Sequence, residues 1–224
     1  DFIRDIDADI IAVQEINSSF ALADAISNVP NWDGKIYSKN TLKLGFLYKD
    51  TEVTITDLTI LFEDDTDNFP RPAVLTVAKH ISSNEEIILI NLHLKCCEGP
   101  TNQQRRQTAL SKLKSHVDGL YPDKNVIILG DFNDSLTDVP GQNVFQLFLE
   151  DIDNFSFADM EIANGPETNW SYPAYPSHID HFIISNELFL RKKAVESLMY
   201  EDCLGTYFTD ISDHRPQLLT LNFN

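Results

Sequence analysis

Positive charge is scarce in this 224-residue chain. Its 17 lysines and arginines face 35 aspartates and glutamates, a formal net charge of −18. Such a surface repels polyanions at long range, which disfavours tight non-specific binding to duplex DNA. A small phosphorylated substrate remains open, as does DNA met through a local basic patch and a metal. The acidity is equally a solubility device. Only three cysteines are present, too few for a disulfide framework, and Cys96 and Cys97 are neighbours that bridge only through a strained ring. Buried thiols are the expectation, with a vicinal disulfide as the minor alternative. No CxxC or Cys/His cluster occurs, so zinc is not expected. No run reaches the roughly 18 apolar residues of a transmembrane segment, and no signal-peptide pattern is visible. The chain opens on Asp1 rather than Met. A trimmed or processed chain is therefore expected, from which any secretion signal would be missing, and a soluble protein could be cytoplasmic or exported.

What is there suits one domain over residues 1–224: 42% hydrophobic and 23% charged residues, with no internal linker, repeat or low-complexity tract. A monomer is expected. The chain is organised around Asn125–Asp134. Val126–Leu129 is a short apolar run rich in β-branched residues, the pattern of a strand buried on both faces. Gly130 lets the backbone leave the sheet, and Asp131 and Asn133 follow in alternation, which sends both side chains the same way. The plain alternative is a strand that ends in an Asx turn.

Other elements follow from patterning. Asp1 to Ile6 reads as a helix end, and Ile10–Val13 as a buried strand that delivers Gln14 and Glu15. Asn17, Ser18 and Ser19 are candidate caps of a helix with an apolar face of Phe20, Leu22, Ala23 and Ile26. A turn is expected at Trp32–Gly34, then strands at Lys35–Tyr37, Leu44–Tyr48 and Val53–Phe62, and an acidic loop over Glu63–Asn68. Ala73–Ala78 and Ile87–Leu94 are strands joined at Ser82–Asn84. After Gly99-Pro100, Gln103–Leu120 is the clearest helix, with Ala109, Leu110, Leu113, Val117 and Leu120 at helical spacing. Beyond the central strand come a loop through Pro140-Gly141, a short helix near Val144–Leu149 and one long surface loop with local strands over Asp151–Pro176. Strands at Ile179–Ile184, Ala194–Tyr200 and Gln217–Leu221 close the chain. Two sheets flanked by helices fit this succession better than an all-parallel sheet.

Four of these strands end in polar residues: Glu15, His93, Asp131 with Asn133, and Asp213-His214 before the last strand. One such event is commonplace. Four together, mixing hard oxygen ligands with imidazoles, describe a metal-assisted hydrolase. Ile10-Ile11-Ala12-Val13-Gln14-Glu15, Asn91-Leu92-His93-Leu94, Gly130-Asp131-Phe132-Asn133, Ser177-His178-Ile179-Asp180-His181-Phe182 and Ser212-Asp213-His214-Arg215-Pro216 occur in this order. The series resembles the endonuclease/exonuclease/phosphatase superfamily, which includes deoxyribonuclease I-like and exonuclease III-like nucleases, neutral sphingomyelinases and inositol polyphosphate 5-phosphatases.

That resemblance implies a four-layered α/β/β/α sandwich of the deoxyribonuclease I-like type, with the site at one end. It implies that Glu15 binds the metal and that Asp213 helps to hold metal or water. Asp131 would deprotonate the attacking water, and Asn133 would position that water and the phosphoryl oxygens. His214 would contact the scissile phosphate, its tautomer fixed by Asp180. His93 would be a second phosphate-side imidazole and candidate general acid, and Arg71 a phosphate-binding arginine. The oxygen ligands point to Mg²⁺, with Mn²⁺ possible. The sequence departs from the family in two places. No residue before Asp9 matches the family's first-strand asparagine, so the first strand is expected to be missing. Thr41-Leu42-Lys43-Leu44-Gly45 offers Lys43, a phosphate ligand or a solvated strand residue, where related nucleases pair the first histidine with an acid.

The expected activity is hydrolysis of a phosphodiester, nuclease-like, by in-line attack of an activated water. A phosphatase or a phospholipid-headgroup phosphodiesterase of the same fold is the alternative, and a non-catalytic binding module the remote one. Trp170, Tyr172 and Tyr175 precede Ser177 in a loop, where Trp170 is a candidate base-stacking residue or simple packing. Lys95, Arg105, Arg106, Lys112 and Lys114 form the densest positive cluster, either a nucleic-acid stripe or an ordinary solvated face.

Overall fold

The computed structural model describes residues 2–37, 42–139 and 141–223. Asp1, Thr41 and Pro140, used above, lie outside them. In chain order the elements are α1 (Phe2–Asp5), β1 (Ile10–Ile16), α2 (Ser19–Ser27), β2 (Trp32–Tyr37), β3 (Lys43–Lys49), β4 (Val53–Ile55), β5 (Thr59–Leu61), β6 (Ala73–His80) and β7 (Glu86–His93). Then follow α3 (Pro100–Leu120), β8 (Val126–Asp131), α4 (Gln146–Leu149), β9 (Phe155–Phe157), α5 (Met160–Ala163), β10 (Asp180–Ser185), β11 (Lys192–Ser197), α6 (Tyr207–Asp210) and β12 (Gln217–Leu221).

Among the described residues, β4-β6-β7-β8-β10-β9 form the large sheet, with β5 also on β6. β1-β3-β2 and β11-β12 form two smaller sheets against it. β7 and β8 pair in parallel and are joined by α3 as a crossover, whereas the other ladders are antiparallel. The apolar runs of β7 and β8 are continuous because each face meets a different layer. Ile88, Ile90, Val126 and Ile128 pack with Leu110, Leu113 and Val117 of α3. Ile87, Leu89 and Ile127 alternate with them and face Leu44 and Phe46 of β3. α2 lies outside β2 and β3, where Ile26 comes close to Gly34. The layers are thus helix, sheet, sheet, helix.

Several expectations change. Phe20 is 81% exposed and Ala23 is exposed, so Ile26 is the one expected α2 face residue that is fully buried. The supposed turn at Trp32–Gly34 is already strand. Val53–Phe62 is two strands on one edge of β6, split where the Thr56 hydroxyl accepts Val77 N–H at 3.0 Å and Asp57 turns out to Lys35. α3 starts at Pro100, whose missing N–H is no loss in a first turn, and Leu120 at its end is 60% exposed. Asp151–Pro176 holds the local strand expected of it, β9, but it is not all surface, because Phe155, Phe157, Ala158, Asp159, Ile162 and Ser171 are buried. Helix α3 carries no free basic stripe. Arg106 is buried on Asp134, Lys112 pairs with Asp65, Lys114 pairs with Asp118 and Asp151, and Arg105 donates to the Asp67 carbonyl. The thiols are not buried either: Cys97 and Cys203 are exposed and Cys96 half-buried.

Among the described residues β1 pairs only with β3, and β12 only with β11. Residues of both strands line a cavity of about 670 Å³ against the large sheet, with Ala12, Leu89, Leu129 and Leu219 in its wall.

Candidate active site at the strand ends

Strand register builds the site. His93 at the end of β7 is the parallel partner of Asp131 at the end of β8, and Asp131 is the antiparallel partner of Asp180, which opens β10. An imidazole and two carboxylates therefore share one row across three strands. Gly130 makes the row possible. Its φ is 131°, and a Cβ there would lie 2.1 Å from the Leu92 carbonyl oxygen, so no larger residue fits.

Glu15 arrives from the second sheet. The β1–β3 register slips between Val13 and Ile16, and Glu15 sits in the slip with φ 55°. A bulge of this kind re-aims a side chain, here so that Glu15 Oε1 lies 3.6 Å from His93 Nε2, while Asp131 Oδ2 lies 3.3 Å from the same nitrogen. Buried Asn91 ties the two sheets behind them: it accepts from Gln14 and donates to the carbonyls of Val13 and Gly45. Lys43 donates to the Asn17 carbonyl at 2.7 Å, a tie at the end of β1 rather than a solvated side chain.

Asn133 meets Asp131 by a turn. Its backbone N–H donates to Asp131 Oδ1 at 2.8 Å and its Nδ2 to Oδ2 at 2.9 Å, with φ 55° at Asn133. The two side chains come together as expected, but through the Asx turn that had stood as the alternative to strand alternation. Asn133 Nδ2 and Arg71 Nη1 also both reach the Leu94 carbonyl, at 3.3 Å each. His214 Nδ1 donates to Asp180 Oδ2 at 2.7 Å, and Asp213 beside it is exposed at the mouth. The Tyr172 ring lies over His214 with centroids 4.7 Å apart. Trp170 does not join them: its indole N–H donates to the Ile162 carbonyl, which ties the loop to α5.

Burial opposes charge throughout, and specific neighbours decide the outcome. It works against the His214 cation, but the hydrogen bond and charge of Asp180, then Asp131 and Asp213, raise the imidazolium pKa to about 9. Burial likewise opposes the Asp180 carboxylate, which His214 nonetheless holds below the usual range. Asp131 is pushed up to about 7 by burial first and then by Asp180. His93 drops to about 3 through burial and the nearby Arg71. Its Nδ1 is buried without a partner.

Glu15, Asp131, Asp180 and Asp213 place carboxylate oxygens at this end of the sandwich, the hard donors a divalent cation takes, but among the described residues no three of them bring ligand atoms within 4.8 Å of one another. A tighter group, Asp159 with His178 and His181, is fully buried, its ligand atoms within 4.8 Å of one another. Protons fill it. His178 Nε2 and His181 Nδ1 donate to Asp159 Oδ2 at 2.9 and 2.6 Å, whereas tetrahedral ligands of one metal would stand about 3.3 Å apart. Asp159 Oδ1 accepts Phe182 N–H, and His181 Nε2 donates to the Asp134 carbonyl at 2.9 Å. The sequence pattern did not reveal this hub, because Asp159 lies in what reads as loop. Only the doubled histidine around Ile179-Asp180 hinted at it.

The two-sheet sandwich and the acid–imidazole row at its open end define the class of deoxyribonuclease I-like hydrolases. The chain belongs to the endonuclease/exonuclease/phosphatase family, whose description matches residues 1–214. Its fold is that of D. rerio TDP2 solved with single-strand DNA product, at TM-score 0.73 and 16% identity over 99% of this chain and 88% of that one. The human Nocturnin catalytic domain with bound sulfate anion follows at 0.67 and 14%, over 97% and 83%. The Bacteroides thetaiotaomicron mannosyl-6-phosphatase Bt3783 stands at 0.69 and 16%, over 99% and 88%. No curated protein matches the chain in sequence. Members of the family are in general divalent-metal dependent, and among the described residues no helix is long and apolar enough to cross a membrane.

Proposed function

We propose that the chain is a phosphodiesterase, nuclease-like and dependent on Mg²⁺ or Mn²⁺, that hydrolyses its ester by in-line attack of an activated water. The observation that carries this reading is the Asp180–His214 pair at 2.7 Å, an imidazolium held charged beside the Asp131–Asn133 turn. Asp131, pushed up to about 7, accepts the proton of the attacking water near neutral pH. Asn133 commits its Nδ2 to Asp131 and Leu94, which leaves its carbonyl oxygen to orient that water. His214 and Arg71 meet the charge that grows on the phosphoryl oxygens. His93, down at about 3, is neutral at working pH, so it suits a hydrogen-bond donor better than a general acid. Glu15 and Asp213 would hold the cation, which would supply Lewis-acid compensation of phosphoryl charge.

The substrate reading follows from two surfaces. Three of the four α3 lysines and arginines are paired with carboxylates and the fourth, Arg105, is held by backbone carbonyls, so a long duplex finds no continuous positive track there. Tyr172 beside His214, with Tyr175 75% exposed next to it, offers a platform for a planar group on one side of the phosphate. A short or single-stranded diester suits this better than duplex. The test is a hydrolysis panel of single-stranded oligonucleotide, supercoiled plasmid, abasic duplex, sphingomyelin, inositol phosphates, a sugar 6-phosphate and bis-nitrophenyl phosphate. Each substrate is run with Mg²⁺, Mn²⁺ or EDTA. Diester cleavage abolished by EDTA and by His214→Ala is expected. Cleavage of monoesters alone would move the assignment to a phosphatase.

A further inference from the structure

The strand that carries His93 runs straight into Cys96 and Cys97. Both are free thiols, and their sulfurs lie in direct contact, 2.8 Å apart. Cys97 has φ 77°, a left-handed conformation that a non-glycine residue keeps only when its surroundings impose it. Those surroundings are specific: Arg106 Nη1 holds the carbonyls of Lys95 and Cys97 at 2.8 and 3.0 Å. Arg106 is in turn locked on Asp134 at 2.7 Å. One residue earlier, the Leu94 carbonyl is shared by Arg71 and Asn133.

We propose that Cys96 and Cys97 are a reversible dithiol–disulfide site, oxidised by a peroxide, that regulates the adjacent phosphoesterase centre. Half-buried Cys96 is the attacking sulfur, with Lys95 Nζ 3.5 Å away, and exposed Cys97 resolves. Hydrogen bonding by Cys97 and then the Lys95 charge favour the Cys96 thiolate against burial, and Cys97 keeps its proton longer. The Cys96 thiolate attacks a peroxide oxygen, the O–O bond breaks and hydroxide leaves, which gives a sulfenic acid. The Cys97 sulfur then attacks Cys96, and its proton leaves with the sulfenic oxygen as water. Neighbouring Cα atoms stand about 3.8 Å apart, short of the usual 4.4–6.8 Å for bridged cysteines, so the ring is strained and easily reduced. Closing it turns the Cys96–Cys97 peptide and pulls on the carbonyls that seat Arg106, Arg71 and Asn133.

The regulatory consequence rests on the phosphodiesterase reading above, whereas the covalent step does not. The test uses the full chain with Cys203→Ser, treated with hydrogen peroxide, alkylated, digested and weighed. The expected result is a monomer whose Cys96–Cys97 peptide escapes alkylation, is two hydrogens lighter and is restored by dithiothreitol. Diester hydrolysis should fall roughly tenfold on oxidation and recover on reduction. The Cys96→Ser, Cys97→Ser, Cys203→Ser chain should lose no activity to the same peroxide dose when the peroxide is removed by catalase without any thiol. Full alkylation of both thiols after peroxide, or bridges between chains, would overturn the site. A bridge without change in hydrolysis would overturn the regulation. A reduced chain inactive on every ester would count against the functional reading alone, because the mass readout needs no turnover.

Discussion

Asp131 and Asp180 face each other in register across β8 and β10, two carboxylates set side by side at the strand ends. Like charges directly opposed weaken a sheet, so this pairing is kept at the expense of stability. Asp131→Asn should therefore raise the stability of the EDTA-treated chain by on the order of 1 kcal/mol, a Tm gain of about 2–4 °C. Diester hydrolysis should fall by about 10²–10⁴-fold, the loss of a general base. Thermal unfolding in EDTA checks the first half. A lower Tm in the variant would mean that the facing carboxylates do not repel.

Asp180 also sets the charge of His214. The folded pKa of about 9 lies above the ordinary histidine value, so the imidazolium persists through neutrality and is lost as pH rises through 9. If His214 acts as a cation, kcat/KM has an alkaline limb near that pH. In Asp180→Asn the opposing burial loses its largest counterweight, with only Asp131 and Asp213 left, and the limb should move down by at least one pH unit. Rate profiles between pH 5 and 10 on a substrate of constant charge decide it. An unmoved limb would assign that titration to another group.

Much of this site was legible in the sequence because strand ends carry a signature. His93, Asp131 and Asn133 follow apolar runs and Asp213-His214 precedes one, and the structure brings His93, Asp131, Asn133, Asp180, His214 and Glu15 to one end of the sandwich. Positions fixed by local backbone were harder to see. The Glu15 bulge leaves no mark in a strand pattern, and Lys43, which looked like a free cation, binds carbonyls at the end of β1. The region 151–176 hid its order for another reason. Its Asn, Pro and Gly content mimics a loop, while Phe155, Phe157 and Asp159 supply burial at spacings too short to read. The aromatic candidates split likewise, since only the fold tells that Trp170 turns inward and Tyr172 lies on His214.

The buried Asp159–His181 bond makes stability pH-dependent on both sides. Burial opposes both charges, but each partner holds the other, so Asp159 titrates below its usual range and His181 above. The imidazolium contribution is complete below the unfolded histidine pKa of about 6.5 and is lost as pH rises through the folded value. The carboxylate contribution is present above about 3.9 and is lost as pH falls through the depressed value. The stability gap between parent and His181→Asn, from urea midpoints, should be widest near pH 5–6 and narrow toward alkaline pH. Asp159→Asn should cost about 3–5 kcal/mol, because it leaves a buried cation unpaired. A gap independent of pH would mean that His181 is neutral in the fold.

Tyr172 is where substrate choice should be felt. Its ring rests on His214, and Tyr175 continues the aromatic surface outward with ring centroids 6.1 Å apart. Stacking on a base is worth about 1–3 kcal/mol by alanine substitution, so Tyr172→Ala should lower kcat/KM on a dinucleotide by roughly tenfold or more. An alkyl phosphodiester with no planar group should lose about twofold at most, because nothing in it stacks. Trp170→Ala should behave differently, lowering Tm through the lost anchor to Ile162 while leaving the ratio of the two substrates unchanged. Equal losses on both diesters in Tyr172→Ala would show that the tyrosine only positions His214, and selection for a planar group would then have to come from other residues.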